Sequence, residues 1–266
     1  MISFWYIIIL LITVILFLLL KNIEGFGNEN YLNGIDIIYW INLDRSSDRR
    51  ENMKKIFKDN VFNGIPNQRI TGIDGIKTNM NEKFEHHDSN QPPGVYGCLL
   101  SHLETIRKFN NSNYNIALIM EDDITLEFKQ YWKKNVREII ENAPNDWEII
   151  LLCYIAGDEH VLWNWETMKD DYTKNHTSST GAYIINKKGS NKLIKNIYNE
   201  NKKIYNLNLD LSPHSDRYIY MTLNTYAYKY PMFIYKTDND SLIGHDIDDH
   251  NKCKKRVIEQ YEKLKN

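Results

Sequence analysis

The sequence predicts an α/β domain with a mainly parallel sheet, preceded by one N-terminal transmembrane helix. Three observations carry that expectation. Continuous apolar runs recur at DIIYWINL (Asp36–Leu43), IALIM (Ile116–Met120) and WEIILLCY (Trp147–Tyr154), the pattern of strands buried on both faces. Helical patterns alternate with them, the order expected of βαβ units. Ahead of them all, Ile2–Leu20 contains no charged residue.

At 1.5 Å per helical residue that first run reaches roughly 28 Å, close to the ~30 Å hydrocarbon core of a bilayer. Trp5 and Tyr6 stand where an interfacial belt would place them. A cleaved secretory signal is the alternative, but a basic leader is missing and Gly25-Phe26-Gly27 makes a poor cleavage site. The expectation is therefore a single-pass membrane protein: anchor 1–21, a polar Gly/Asn-rich stalk 22–34, a soluble domain 35–247 and a charged tail 248–266. Lys21 and Glu24 give the span no charge asymmetry that would orient it.

Composition removes several function classes. With 33 Lys+Arg against 35 Asp+Glu, the net charge of −2 offers no basic face for a nucleic-acid backbone. Three dispersed cysteines make neither a disulfide framework nor a zinc knuckle. The chain contains no GxGxxG, GxxxxGK[ST] or GxSxG, which disfavours dehydrogenases, P-loop NTPases and α/β-hydrolases.

Along the domain, Asp36–Leu43 is the first strand. A helix follows in which Asp48 can cap and Met53, Ile56 and Phe57 recur at helical spacing. RITGIDG (Arg69–Gly75) reads as a short strand with a turn, residues 76–93 as a loop, and Gly94–Phe109 as a helix with Val95, Leu99, Leu103 and Ile106 on one face. Then come the strand Ile116–Met120, a helix near Phe128–Glu141, the strand Trp147–Tyr154, and a strand at Thr180–Asn186 with a helix over Lys187–Tyr198. A helix at Ser215–Leu223, a strand at Tyr226–Tyr230 and the helical tail complete the chain.

The chemistry concentrates where buried strands end. ALIMEDDI drives straight into Glu121-Asp122-Asp123, and carboxylates are too costly to keep unpaired in a core. They emerge at the strand's carboxyl end, where open α/β sheets bind ligands. In extended chain Glu121 and Asp123 project to one face, a pair suited to a hard cation such as Mg²⁺ or Mn²⁺. A capped helix start with acidic first-turn residues is the plainer explanation. INLDRSSDRR (Ile41–Arg50) places Arg45, Arg49 and Arg50 after the first strand, as bidentate donors to phosphate or as a solvated helix start. His102, in GCLLSH, is either a satisfied structural histidine or a proton carrier. The tyrosines at 218, 220, 226, 228 and 230 fit core packing or a sugar-stacking wall.

Taken in order, YWINLDRSSDRR, RITGIDG, GVYGCLLSHLETIRKF, ALIMEDDI and STGAYIINKKGSNKLI, trailed by HSDRYIY, TYAYKYPMFIY and NDSLIG, resemble the family 25 glycosyltransferases across about residues 36–244. These include lipooligosaccharide and collagen hydroxylysine galactosyltransferases. The resemblance implies a GT-A-like fold, a UDP-sugar donor (commonly UDP-galactose), a divalent metal and inversion at the transferred sugar. It implies that Asn42, Asp44, Arg45 and Arg49 lie on the nucleotide side, with Gly97 and Ser101 on the central helix. Glu121 and Asp123 would hold Mn²⁺ or Mg²⁺, with Asp122 on the diphosphate. Asp216, with His102 as substitute, would take the proton of the acceptor hydroxyl. The implied acceptors are a glycan, a lipid-linked saccharide or a hydroxylysine-type protein. The rival readings are a membrane-tethered carbohydrate-binding protein without turnover, and a metal-dependent phosphohydrolase.

Overall fold

The structure is a computed structural model that describes residues 30–155, 171–174, 179–236 and 247–263. The expected anchor lies outside the described residues; among these, no helix is long and apolar enough to cross a membrane. The strands are β1 (Ile37–Asn42), β2 (Asn67–Thr71), β3 (Ile116–Glu121), β4 (Ile124–Thr125), β5 (Ile149–Cys153), β6 (Tyr172–Lys174), β7 (Ala182–Asn186), β8 (Tyr198–Asn199), β9 (Ile204–Tyr205), β10 (Thr225–Tyr228) and β11 (Ile234–Tyr235). The helices are α1 (Ser47–Ile56), α2 (Pro93–Asn110), α3 (Val136–Glu141), α4 (Lys187–Ile197), α5 (Ser215–Thr222) and α6 (Ile247–Lys263).

Seven strands form the central sheet in the order β2-β1-β3-β7-β5-β10-β6. β2, β1, β3, β5 and β10 run in one direction, whereas β7 is antiparallel to both of its neighbours and β6 is antiparallel to β10. The apolar runs read from the sequence are these strands: every residue of β1, β5 and β10 is buried. Neighbouring residues on β1 serve opposite faces. Trp40 meets the Phe57 ring at a tilt, at 5.8 Å between ring centroids, while Tyr39 lines an open groove of about 680 Å³ with Glu104 and Arg107 of α2. α2 packs against α4 and α5.

One element differs from the sequence expectation. The helix expected near Phe128–Glu141 is broken into a 3-10 turn, Glu127–Tyr131, and the short α3. Asn135 causes the restart, because its side chain accepts from the Glu138 N–H while Glu138 reaches back to the Asn135 N–H, a capping box. The charged tail is α6, and it is stitched to the domain. Cys253, Val257 and Tyr261 are buried, Tyr261 stacks on Tyr131 at 4.6 Å, and its hydroxyl donates to the Pro231 carbonyl. Of the tyrosines considered as a sugar wall, 218, 220, 226 and 228 are buried in the core.

Candidate functional site at the carboxyl edge of the sheet

β1, β2 and β3 end level with one another: Ile41 pairs with Glu121, and Asn42 with Thr71. Their last residues therefore meet at one edge, the edge at which open α/β sheets take ligands. Asp36 fastens the opposite end, accepting from the Asn115 and Ile116 N–H groups.

Asn42 is 1% exposed and organises the edge. Its amide donates to Asp122 Oδ2 at 2.6 Å and to the Ser46 carbonyl at 3.0 Å, and its Oδ1 accepts from Arg69 Nε at 2.9 Å. Arg49 reaches in from α1, with one guanidinium nitrogen 3.0 Å from Asp122 Oδ1 and 3.4 Å from Asp123 Oδ2. Both oxygens of Asp122 are thus engaged. Asp44 and Arg45 lie further out: Asp44 accepts from Arg69 at 2.6 Å, and Arg45 pairs with Asp74.

Glu121 points toward α2 and β7. Its Oε1 accepts from Thr180 Oγ1 at 2.6 Å and lies 3.2 Å from His102 Nε2. His102 is 1% exposed, and its other nitrogen meets the Tyr183 hydroxyl at 3.0 Å. The network continues from Thr180 to Ser215 Oγ at 3.0 Å and from there to Cys98 Sγ at 3.3 Å. One residue on, Asp216 Oδ2 accepts from the Ser179 N–H at 3.1 Å. Ser179 has a left-handed φ of 72°, a costly conformation for a residue with a Cβ. The Asp216 carboxylate and the Tyr220 hydroxyl, which donates to the Ser179 carbonyl, hold it there.

The three carboxylates are electrostatically unequal. Burial pushes Glu121 up, but the His102 and Thr180 bonds and the Arg49 charge outweigh it and hold the group below its ordinary range. Burial pushes Asp122 up against the opposing Asn42 and Arg49 bonds. Asp123 is pushed up to about 7 by burial and by the negative charge of Glu121. Its main chain is clamped as well, since the Asp123 carbonyl accepts from the Lys236 N–H and β4 pairs with β11. An all-oxygen pair whose negative charge is only partly offset by Arg49 is the donor chemistry a hard divalent cation takes. Glu121 and Asp123 therefore fit Mn²⁺ or Mg²⁺.

The structure brings Asn42, Arg49, His102, Glu121, Asp122 and Asp123 together at this edge, with Asp44 and Arg45 at its outer rim and Asp216 joined through Ser179 and Thr180. Gly97 and Ser101 sit elsewhere on α2, against the turn after β2. A Cβ on Gly97 would come within 2.7 Å of Gly75 N and Ile73 O, and Ser101 accepts from the Ile73 N–H while donating to the Gly97 carbonyl. Both seat that turn on the helix. Thr180, Tyr183, Ser215 and Cys98 were not singled out by sequence reasoning. The first three lie inside STGAYIIN and HSDRYIY, whose polar positions, set among apolar ones, were the available signal.

A family model described as glycosyltransferase family 25 (LPS biosynthesis protein) matches residues 35–211. Procollagen galactosyltransferase 1-A of Xenopus laevis is 26% identical over 175 residues, covering 60% of this chain and 28% of that protein. Procollagen galactosyltransferase 2 of Homo sapiens is 24% identical over 180 residues, covering 60% and 28%. A glycosyltransferase 25 family member of Drosophila melanogaster is 29% identical over 137 residues, covering 47% and 21%. The matched region is thus under a third of the length of each of these relatives. Among solved structures, a glycosyltransferase involved in the glycosylation of the major capsid of PBCV-1 aligns over 81% of this chain and 96% of its own, with a TM-score of 0.44 and 10% identity.

Proposed function

The chain belongs to glycosyltransferase family 25, and from that premise we propose that it transfers a hexose, galactose first among them, from a UDP-sugar to a glycan or hydroxylated protein acceptor with inversion. The observation that carries the proposal is the carboxylate edge. Three acidic residues follow one buried strand, Arg49 offsets part of their charge, and Asp123 remains pushed up to about 7 by burial and Glu121. In this reading Glu121 and Asp123 hold Mn²⁺ or Mg²⁺. Such an ion, when bound, supplies charge that offsets the diphosphate of the leaving UDP.

The chain's own residues do the rest. Asn42 and Arg49 brace Asp122, so its carboxylate keeps a fixed place beside the diphosphate. Asp44 and Arg45, at the outer rim, face the nucleotide. Gly97 and Ser101 support the donor indirectly, by seating the Ile73–Gly75 turn against α2. His102 is buried with both nitrogens partnered, which suits it to positioning Glu121. Asp216 accepts the proton of the acceptor hydroxyl as the acceptor oxygen bonds to the anomeric carbon. The bond from that carbon to the diphosphate oxygen breaks, and UDP leaves with the electron pair. Residues 2–20 tether the domain to a membrane.

The test is UDP release from a panel of UDP-sugars, with and without acceptor saccharides or hydroxylysine peptides. Acceptor-stimulated release from one donor is the expected result. Saccharide binding with no release from any donor would favour the non-catalytic carbohydrate-binding alternative.

A further inference from the structure

Cys98 and His102 are four residues apart on α2 and share one face of the helix. Glu121, at the end of β3, stands opposite. Cys98 Sγ, a His102 ring nitrogen and a Glu121 carboxylate oxygen all lie within 4.8 Å of one another. The proposed reaction uses Glu121, gives His102 a positioning part and leaves Cys98 unexplained.

The donor set is informative. One sulfur, one imidazole nitrogen and one carboxylate oxygen are the ligands of a borderline-soft ion, in contrast to the all-oxygen pair Glu121 and Asp123. With Zn²⁺ bond lengths of about 2.0–2.3 Å, ligand atoms of a tetrahedral site sit about 3.4–3.6 Å apart. His102 Nε2 and Glu121 Oε1 are already 3.2 Å apart. The other ring nitrogen is held by the Tyr183 hydroxyl at 3.0 Å, the outer-shell partner that fixes a ligating histidine in its working tautomer.

We propose that Cys98, His102 and Glu121 form a three-ligand site for a borderline-soft divalent cation of the zinc type, and that filling it inhibits transfer. On binding, the Cys98 thiol gives its proton to solvent, and His102 carries its single proton on Nδ1, donated to Tyr183. Water completes the tetrahedron. Zn²⁺ stands above Mn²⁺ and Mg²⁺ in affinity for nitrogen and sulfur ligands, so it takes Glu121 out of the hard-cation pair. The binding stands on this geometry alone; the inhibition rests on the reading of Glu121 given above.

The two halves are separated by titrating the full-length chain with Cd²⁺ and following the thiolate-to-metal ultraviolet band, with Zn²⁺ affinity measured against a chromophoric chelator. One equivalent with a sulfur band is expected. Cys98→Ser and Cys98→Ala should abolish the band and weaken Zn²⁺ by more than the roughly 10–100-fold typical of losing an outer-shell partner. Cys153 and Cys253 remain in both variants as internal controls. In turnover assays with Mn²⁺, Zn²⁺ should inhibit the wild type and spare Cys98→Ser. Absence of the band in the wild type, or its persistence in both variants, overturns the site. A normal band with zinc-indifferent turnover overturns the inhibition, and the EDTA test described below shows whether the hard-cation role of Glu121 has failed with it.

Discussion

Asn42 Nδ2 donates to Asp122 Oδ2 across 2.6 Å, a buried bond between residues eighty positions apart. It joins the end of β1 to the end of β3, and through Arg69 and Ser46 it reaches β2 and the start of α1. Asn42→Ala leaves a buried carboxylate short of a donor, a loss of about 2 kcal/mol. For a domain of this size that lowers the melting temperature by about 4–8 °C. A thermal melt with a UDP titration checks it, and donor affinity should fall with stability.

Asp123→Asn and Glu121→Gln should each abolish metal-dependent turnover while the fold survives. Asp123→Asn is the cleaner test, because it removes a charge that burial and Glu121 already disfavour. Circular dichroism and a UDP-release assay with and without EDTA separate folding from function. Undiminished turnover of the wild type in EDTA sinks the metal role.

The same carboxylate sets a pH dependence. Its folded pKa of about 7 stands above the unfolded value of about 3.9, so the folded state binds the extra proton. That contribution to stability is full below about pH 4 and is lost as pH rises through about 7. Cation-free protein should therefore melt at a lower temperature at pH 7.5 than at pH 5, with Asp123→Asn flattening the profile. Saturating Mn²⁺ should raise the melting temperature more at pH 7.5.

Asp216→Asn distinguishes a base from a brace. If Asp216 takes the acceptor proton, kcat falls by roughly 10²–10⁴ with UDP-sugar affinity retained. If its part is only to hold Ser179, Asn keeps one acceptor oxygen for the Ser179 N–H, and turnover stays near wild type. Single-turnover kinetics with a melt of the same variant decide between them.

Residues 2–20 should hold the full-length chain in membranes through alkaline carbonate and high-salt washing. Release into the supernatant under either wash refutes the anchor.

Much of the fold was legible because its strands are buried on both faces, so β1, β3 and β5 announce themselves as unbroken apolar runs. Direction was not legible. Periodicity identifies Thr180–Asn186 as a strand but does not say that it runs against β3, with Ala182 opposite Met120. That single reversal delivers Thr180 to Glu121 and Tyr183 to His102, and periodicity alone signals neither contact. The carboxylates were visible because charge after a buried strand has few places to go. Gly97 and Ser101 share a motif with His102 but serve a backbone contact, which side-chain chemistry does not signal.

The position of β10 has a consequence for how the molecule is made. It lies between β5 and β6, inside the sheet, yet the family match ends at residue 211 and β10 begins at Thr225. A nascent chain that has emerged only to residue 211 carries the carboxylates and their arginine, but β5 has an open flank of unpaired N–H and C=O groups. Such a flank pairs readily with other chains. Ser215 and Asp216 are also still to come, as are the β11 segment that clamps Asp123 and the α6 residue His250 that packs on Tyr235 of β11. Vectorial synthesis thus delays completion of this edge until β11 and then α6 have emerged. A premature stop anywhere in 212–224, before β10 begins, should yield aggregate in a sedimentation assay rather than a folded, weakened protein.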